Sequence, residues 1–289
     1  MKFITFDNAG KPALGVQYRD AVIEVARLGP QFPASMASLI EADRDILPAI
    51  AQACAAAPEH LRLTAATLTL LPPISNPGKI ICVGLNYADH LSEAKVGEAP
   101  AFPGLFHKVP SSLAAHGAAL LRPATSCQLD FEGELAIVIG RSCKRVPAER
   151  ALEHVFGYTI VNDGSVRDYQ LNKALAAGKN FDSSGACGPC IVTAEDLPPG
   201  ARGLHLQTRL NGQVMQDGNT DQMIFDVASI IALVSDIHGL NPGDIISTGT
   251  CSGVGAARTP PIWLEPGDEI EVEIEGIGVL ANSVRQEGE

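Results

Sequence analysis

The stretch Leu129-Asp-Phe-Glu-Gly-Glu-Leu-Ala-Ile-Val-Ile-Gly140 places two glutamates, Glu132 and Glu134, at the mouth of an apolar run from Leu135 to Ile139. The run is short, apolar and partly β-branched, and it reads as a buried strand. Side chains two apart along a strand share a face, so both carboxylates are held together on one side. Two like charges so placed repel and resist desolvation, and a hard divalent cation with oxygen ligands relieves both penalties. The competing reading is a solvated strand face paired with Arg or Lys. A third acid, Asp163, ends the apolar run Gly157-Tyr-Thr-Ile-Val-Asn-Asp163. Three carboxylates suit an Mg²⁺ or Mn²⁺ site whose other positions go to water and substrate.

Further strands are expected on either side of this one: Lys79 to Gly84, Phe156 to Val161, His205 to Leu210, Asp244 to Ser247 and Glu269 to Ile274. The last alternates with period two. Helical patterns are fewer. Met36 to Ala56 reads as one or two helices interrupted at Pro48, Asn172 to Ala177 as a short one, and Met223 to Leu233 as the strongest, with Asp221 as its N-cap. Short alternating runs at Phe3, Leu14 and Ala21 suggest a small antiparallel sheet ahead of the Pro72-Pro73 and Asn76-Pro-Gly78 punctuation. The expectation is a small N-terminal α+β domain over 1–72 and a mainly β or α+β catalytic domain over 73–289.

With 289 residues, 46% hydrophobic and 19% charged, the chain is long enough to bury a large core. Its apolar runs fall short of the roughly 20 residues of a membrane span. An acid at Asp7 interrupts the N-terminus before a signal-peptide core forms, so the cytoplasm is the expected compartment. A net charge of −12 without a basic cluster disfavours nucleic acid. The 7 cysteines are scattered and odd in number, unlike a secreted disulfide framework. Cys187-Gly-Pro-Cys190 has the spelling of a redox motif, but Ile191-Val-Thr after it signals a strand rather than the helix that would activate the first thiol. The glycine-rich run Gly249 to Gly255 lacks the Gly-Lys-Ser/Thr ending of a phosphate loop.

Other polar groups stand at strand ends or in the turns that follow. His90 and Glu93 fall at i and i+3 of one helical turn, where a carboxylate can orient an imidazole as a general base; an exposed His–Glu pair has the same spelling. Lys108 and Lys179 lie among small or apolar neighbours, either as snorkelling surface lysines or as fixed positive charges for a developing oxyanion.

In order and surroundings these pieces resemble the fumarylacetoacetate hydrolase family over residues 76 to 284. The matching segments are Val83-Gly-Leu-Asn-Tyr-Ala-Asp-His90 with Glu93, Phe106-His-Lys-Val-Pro-Ser-Ser112, Asp130-Phe-Glu-Gly-Glu-Leu135, Asn162-Asp-Gly-Ser-Val-Arg-Asp168 and Gly178-Lys-Asn-Phe-Asp182 with Gly188-Pro189. After them come Asn211-Gly212, Ser247-Thr-Gly-Thr250 with Gly253-Val-Gly255, Pro266-Gly-Asp-Glu-Ile270, Glu275-Gly-Ile-Gly278 and Asn282. The resemblance implies a β-sandwich-roll catalytic domain, a homodimer, and Mg²⁺ or Mn²⁺ on Glu132, Glu134 and Asp163. It implies His90 as general base with Glu93 as its partner, Lys108 and Lys179 as active-site lysines, and the Gly249-Thr250 turn against the substrate carboxylate.

The reaction so implied is metal-dependent hydrolysis of a C–C bond in an acylpyruvate-type 2,4-dioxo acid. His90 activates water, and Lys179 and the metal stabilise the departing pyruvate enolate. Decarboxylation of an oxaloacetate-type acid, or isomerisation or hydration of an unsaturated 2-oxo acid, would use the same electron sink. A non-catalytic metal-stabilised or thiol-redox protein is the expectation of a different class. Two departures from the family pattern leave part of the pocket wall open: Ser183-Ser-Gly-Ala-Cys187 with Cys190, and His107 before the motif lysine.

Overall fold

The computed structural model describes residues 1–95, 97 and 100–289. The elements that matter for the site are β1 (Lys2–Asn8), β2 (Lys11–Tyr18), β3 (Ile80–Gly84), α1 (Ala88–Glu93), β4 (Gly104–Lys108), β5 (Gly133–Ile139), β6 (Val155–Asn162), α2 (Arg167–Asn172), α3 (Leu175–Lys179), β7 (Gly185–Thr193) and β8 (Ile245–Thr250). Every residue of β5 and β6 is buried, as expected of apolar runs without polar alternation. They form the middle of a twelve-stranded sheet that runs Arg62–Thr64, Ala21–Glu24, β2, β1, β7, β6, β5, β8, β3, β4, with Leu70–Leu71 pairing beside β1 and Leu113–Ala114 beside β7. A five-stranded sheet packs against it; its strand Glu269–Ile274 alternates outward Glu with buried Ile and Val. Together they make the β-sandwich roll with peripheral helices.

The composition changes near residue 72, but the backbone pairing runs across that boundary. β1 pairs antiparallel with β7, Lys2 opposite Val192 and Phe3 opposite Ile191. The N-terminal strands therefore extend the sheet that carries the site, and Phe3, Leu14 and Ile23 share a core cluster with Ile80, Val138 and Ile191.

Three helix expectations need correction: the short helix expected over Asn172 to Ala177 is instead the end of α2 and the start of α3, which break at 173–174. The helical stretch at 36–56 is two helices, Met36–Glu41 and Ile46–Ala56, broken at 42–45 rather than at Pro48. Pro48 is tolerated because it lies in the first turn, where a backbone N–H has no intrahelical partner. The strong C-terminal helix is Val227–Ile237, capped by Asp226, whose side chain accepts from Ser229 N at 2.8 Å. Asp221 belongs instead to a preceding 3₁₀ turn. Among the described residues no helix is long and apolar enough to cross a membrane.

Candidate active site

The antiparallel register between β5 and β6 sets Gly133 opposite Asn162, which brings Glu132 beside Asp163. Asp163 N donates to Glu132 O at 2.8 Å, and Glu132 N donates to Asn162 Oδ1 at 3.1 Å. Glu134, one pleat on, is paired across to Thr250 of β8. Each of the three side chains offers a carboxylate oxygen within 4.8 Å of the others, and all three residues are buried. A side chain at Gly133 would collide with Thr208 Oγ1 and approach Val272 Cγ1 to 2.9 Å. The second sheet thus presses against the backbone between the glutamates, and only glycine fits there.

Cations surround two of the three acids. Lys179, at the end of α3, reaches Glu132 Oε2 at 2.7 Å and Asp163 Oδ2 at 2.8 Å. Arg167, at the start of α2, reaches Glu132 Oε1 at 2.7 Å and Asp130 Oδ2 at 2.8 Å. Burial alone would raise the Glu132 pKa, yet Lys179 and Arg167 pull it down to about 2. Glu134 has neutral partners instead, accepting from Ser247 Oγ at 2.6 Å and Gly249 N at 2.9 Å. Burial, then the Asp163 and Glu132 charges, drive its pKa well above the ordinary range.

This imbalance tests whether a divalent cation suits the trio. Among the described residues, Glu134 alone of the three lacks an ion-pair partner. Asp163 Oδ1 is buried without a hydrogen bond, although Lys108 Nζ lies 2.9 Å away. A hard cation between these oxygens would neutralise the charge that the protein's own bases leave unbalanced. The donor set is all oxygen, as Mg²⁺ or Mn²⁺ requires.

On the other side of the same cavity stands α1. His90 Nδ1 lies 3.0 Å from Glu93 Oε2, and Glu93 Oε1 accepts from Gly253 N at 2.8 Å. Asp89 accepts from His90 N at 2.8 Å and from Ser252 Oγ at 2.7 Å. Both acids of this short helix are therefore tied to the loop leaving β8. Just before that loop, near the end of β8, stands Gly249, whose φ of +95° and approach to Val83 O favour glycine.

The cavity, about 500 Å³, brings together His90, Glu93, Glu132, Glu134, Lys179 and Thr250. The Thr250 hydroxyl donates to Gly133 O at 2.9 Å and accepts from Gln216 Nε2 at 2.7 Å, so its bonds are spent within the fold. Gly249 N is likewise spent on Glu134. Lys108 is 3% exposed and sits behind Asp163, its ammonium also donating to Lys179 O and Gly164 O. Asp163 completes the trio from a fully buried position, 0% exposed.

Three residues of the site lie outside the set expected from the sequence. Arg167 and Gln170 line the cavity, joined by a 2.9 Å bond from Arg167 Nη1 to Gln170 Oε1. Their signal was the position of Arg167 one residue into a segment that follows Asp163 by four, with Gln170 one turn further on. Gln216 locks the Glu-Gly-Glu turn by accepting from Gly133 N at 2.9 Å, and no local pattern marks it.

The family model described as fumarylacetoacetate (FAA) hydrolase C-terminal matches residues 79–285. The chain belongs to the fumarylacetoacetate hydrolase family. Among its curated relatives is the mitochondrial oxaloacetate tautomerase of Xenopus laevis, 36% identical over 98% of this chain and 90% of that protein. The mitochondrial oxaloacetate tautomerase FAHD2A of Homo sapiens is 38% identical over 94% and 87%. Among solved structures, the fumarylacetoacetate hydrolase of Exiguobacterium antarcticum has a TM-score of 0.83 and 38% identity, covering 99% of each chain. The maleylpyruvate hydrolase of Sphingobium sp. SYK-6, in complex with manganese(II) and pyruvate, has a TM-score of 0.82 and 30% identity over 99% of each. The fumarylacetoacetate hydrolase fold thus carries tautomerases, hydrolases and isomerases, and membership alone leaves the reaction open.

Proposed function

We propose that this chain is a divalent-metal-dependent enzyme that moves a proton between C3 of a 2-oxo acid and its enol form. Its substrates are acids in which a second carbonyl at C4 makes that proton acidic, a class that includes oxaloacetate and the 2,4-dioxo acids. The observation that carries the reading is the His90–Glu93 pair facing the same cavity as Glu132 and Glu134, with an Asp163 oxygen within 4.8 Å of theirs. A base and an oxygen-ligand cluster on one cavity suit enolisation, and the two oxaloacetate tautomerases similar along nearly the whole chain support it.

Glu132, Glu134 and Asp163 would hold the cation. When bound, it supplies Lewis acidity to the oxygens of a 2-oxo acid. Glu93 accepts the Nδ1 proton of His90, which leaves Nε2 with its lone pair for the C3 proton. The imidazolium so formed is stabilised by Glu93 and returns its proton to the same carbon or to the enol oxygen. Lys179 places a fixed positive charge beside Glu132 and Asp163, at the end of the cavity where negative charge develops. Arg167 and Gln170 form the adjoining polar wall.

Hydrolysis of an acylpyruvate to pyruvate and a carboxylic acid is the second reading. The 500 Å³ cavity favours it, since a four-carbon acid leaves room for a larger group and a water, and the maleylpyruvate hydrolase neighbour supports it. There the base takes its proton from water instead of carbon. The homodimer implied by the family resemblance belongs to this proposal and is checked by light scattering. The deciding experiment follows loss of enol absorbance from oxaloacetate and release of pyruvate from acetylpyruvate, with Mg²⁺ and with EDTA, for wild type and His90→Ala. Metal-dependent enol loss that collapses in the variant supports tautomerisation, and collapse of pyruvate release supports hydrolysis. Oxaloacetate decarboxylation that survives His90→Ala would displace both.

A further inference from the structure

The cavity is chemically lopsided. Its basic residues among those described are His90, Arg167 and Lys179, and each is already engaged by an acid, His90 by Glu93 and the other two by Glu132. Arg167 is the fullest example: Nε meets Asp130 at 2.8 Å, Nη2 meets Glu132 at 2.7 Å and Nη1 meets Gln170 at 2.9 Å. The same cavity is also lined by apolar side chains, those of Leu105, Phe106 and Val254 together with Leu171 and Leu175. Leu171 is 76% exposed and Leu175 42% exposed. A single exposed leucine is ordinary, but two large aliphatic side chains that line one cavity form a patch that a bound group would cover.

From this we infer that Leu171 and Leu175 determine specificity, and that the preferred substrate carries an apolar group beyond C4 rather than a second carboxylate. The inference rests on the 2-oxo acid reading of the site. Its occupant is the distal group of the substrate because the two leucines line the same cavity as His90, Glu132 and Glu134. Such a group, alkyl or aryl, is held by desolvation of the leucine faces. A distal carboxylate would lose hydration there with no free cation in return. Each methylene buried against these side chains tightens binding about fourfold.

The test is calorimetric titration of the full chain, with Mg²⁺, with pyruvate, 2-oxohexanoate and 2-oxoadipate. The last two have equal chain length and differ in ending on a methyl or a carboxylate. Tighter binding of 2-oxohexanoate than of pyruvate, by about tenfold or more, with 2-oxoadipate weaker than 2-oxohexanoate, is expected. The double variant Leu171→Lys and Leu175→Lys should invert the ratio of the two longer acids; Leu171→Ser alone should reduce it. Equal binding of the two longer acids while pyruvate binds overturns this inference alone. A ratio unmoved by the variants also overturns it, since that is the result if a second copy or another segment covers the leucines. No binding of any of the three acids overturns both this inference and the proposed function. The expected order in a protein without turnover would overturn the proposed reaction and leave this inference standing.

Discussion

Glu93 divides its carboxylate between two tasks: one oxygen lies 3.0 Å from the ring of His90, the other accepts the amide of Gly253 at 2.8 Å. The His90 ring is thereby oriented by the same loop that begins beside the metal-ligand candidate Glu134. Replacement of His90 by Ala is expected to lower kcat by about two to four orders of magnitude, the range of general-base removal. Mg²⁺ affinity, read by calorimetry, should be retained. Equal loss of Mg²⁺ binding would move His90 from proton transfer to metal coordination.

If His90 is the base, Asp89 and Ser252 are expected to act on the reaction by positioning it. Asp89 accepts from Ser252 Oγ at 2.7 Å and from His90 N at 2.8 Å, fixing α1 against the loop. Ser252→Ala removes one such bond, a net contribution of about 1 kcal/mol. The expected outcome is a severalfold fall in kcat with KM little changed, and recovery in Ser252→Thr. A KM effect alone would show that the contact serves substrate binding instead.

Stability should respond to pH through Glu134. Burial beside Asp163 and Glu132 raises its folded pKa well above that of the unfolded chain. Between those values the folded protein retains a proton that the unfolded chain has released. Metal-free protein is therefore expected to lose stability as pH rises through that window. Mg²⁺ should offset the loss, and Glu134→Gln should flatten the metal-free profile while weakening Mg²⁺ binding. Thermal midpoints against pH, in EDTA and in Mg²⁺, measure both. A flat wild-type profile in EDTA would refute the assignment.

Cys187 and Cys190 are free and buried on β7, and burial pushes their thiols to about 12 and about 11. At pH 8 the thiolate fraction at either is about one in a thousand or less. Alkylation of folded protein should modify the exposed Cys127 and spare both. Rapid modification of Cys187, with loss of activity, would restore the redox reading.

The parts of the site that lie close together in sequence were the most legible. Glu132, Glu134 and the His90–Glu93 turn announce themselves because strand and helix periods place their side chains on one face. Asp163 was readable as the acid ending an apolar run, although its approach to Glu132 depends on a register that only strand pairing sets. Lys108 illustrates the limit. Its sequence context suggested a charge facing substrate or solvent, whereas tertiary packing seats it behind Asp163. Gln216 and Ser252 were invisible for the same reason, since their contacts span 83 and 163 residues of chain. The Asp226 cap was missed because two acids five residues apart both precede the apolar helix, and local pattern did not choose between them.

The position of β1 between β2 and β7 has a consequence for biosynthesis. As the chain emerges from the ribosome, β1 and β2 can zip at once, with Phe3 opposite Val16 and Ile4 opposite Gly15. On the other edge Thr5 and Phe6 can pair with Leu71 and Leu70, but Lys2 and Phe3 must wait for Val192 and Ile191, far along the chain. Throughout that interval an apolar strand edge is open to neighbouring nascent chains. Synonymous changes that slow translation before β7 should therefore lower soluble yield without altering a single residue of the finished enzyme.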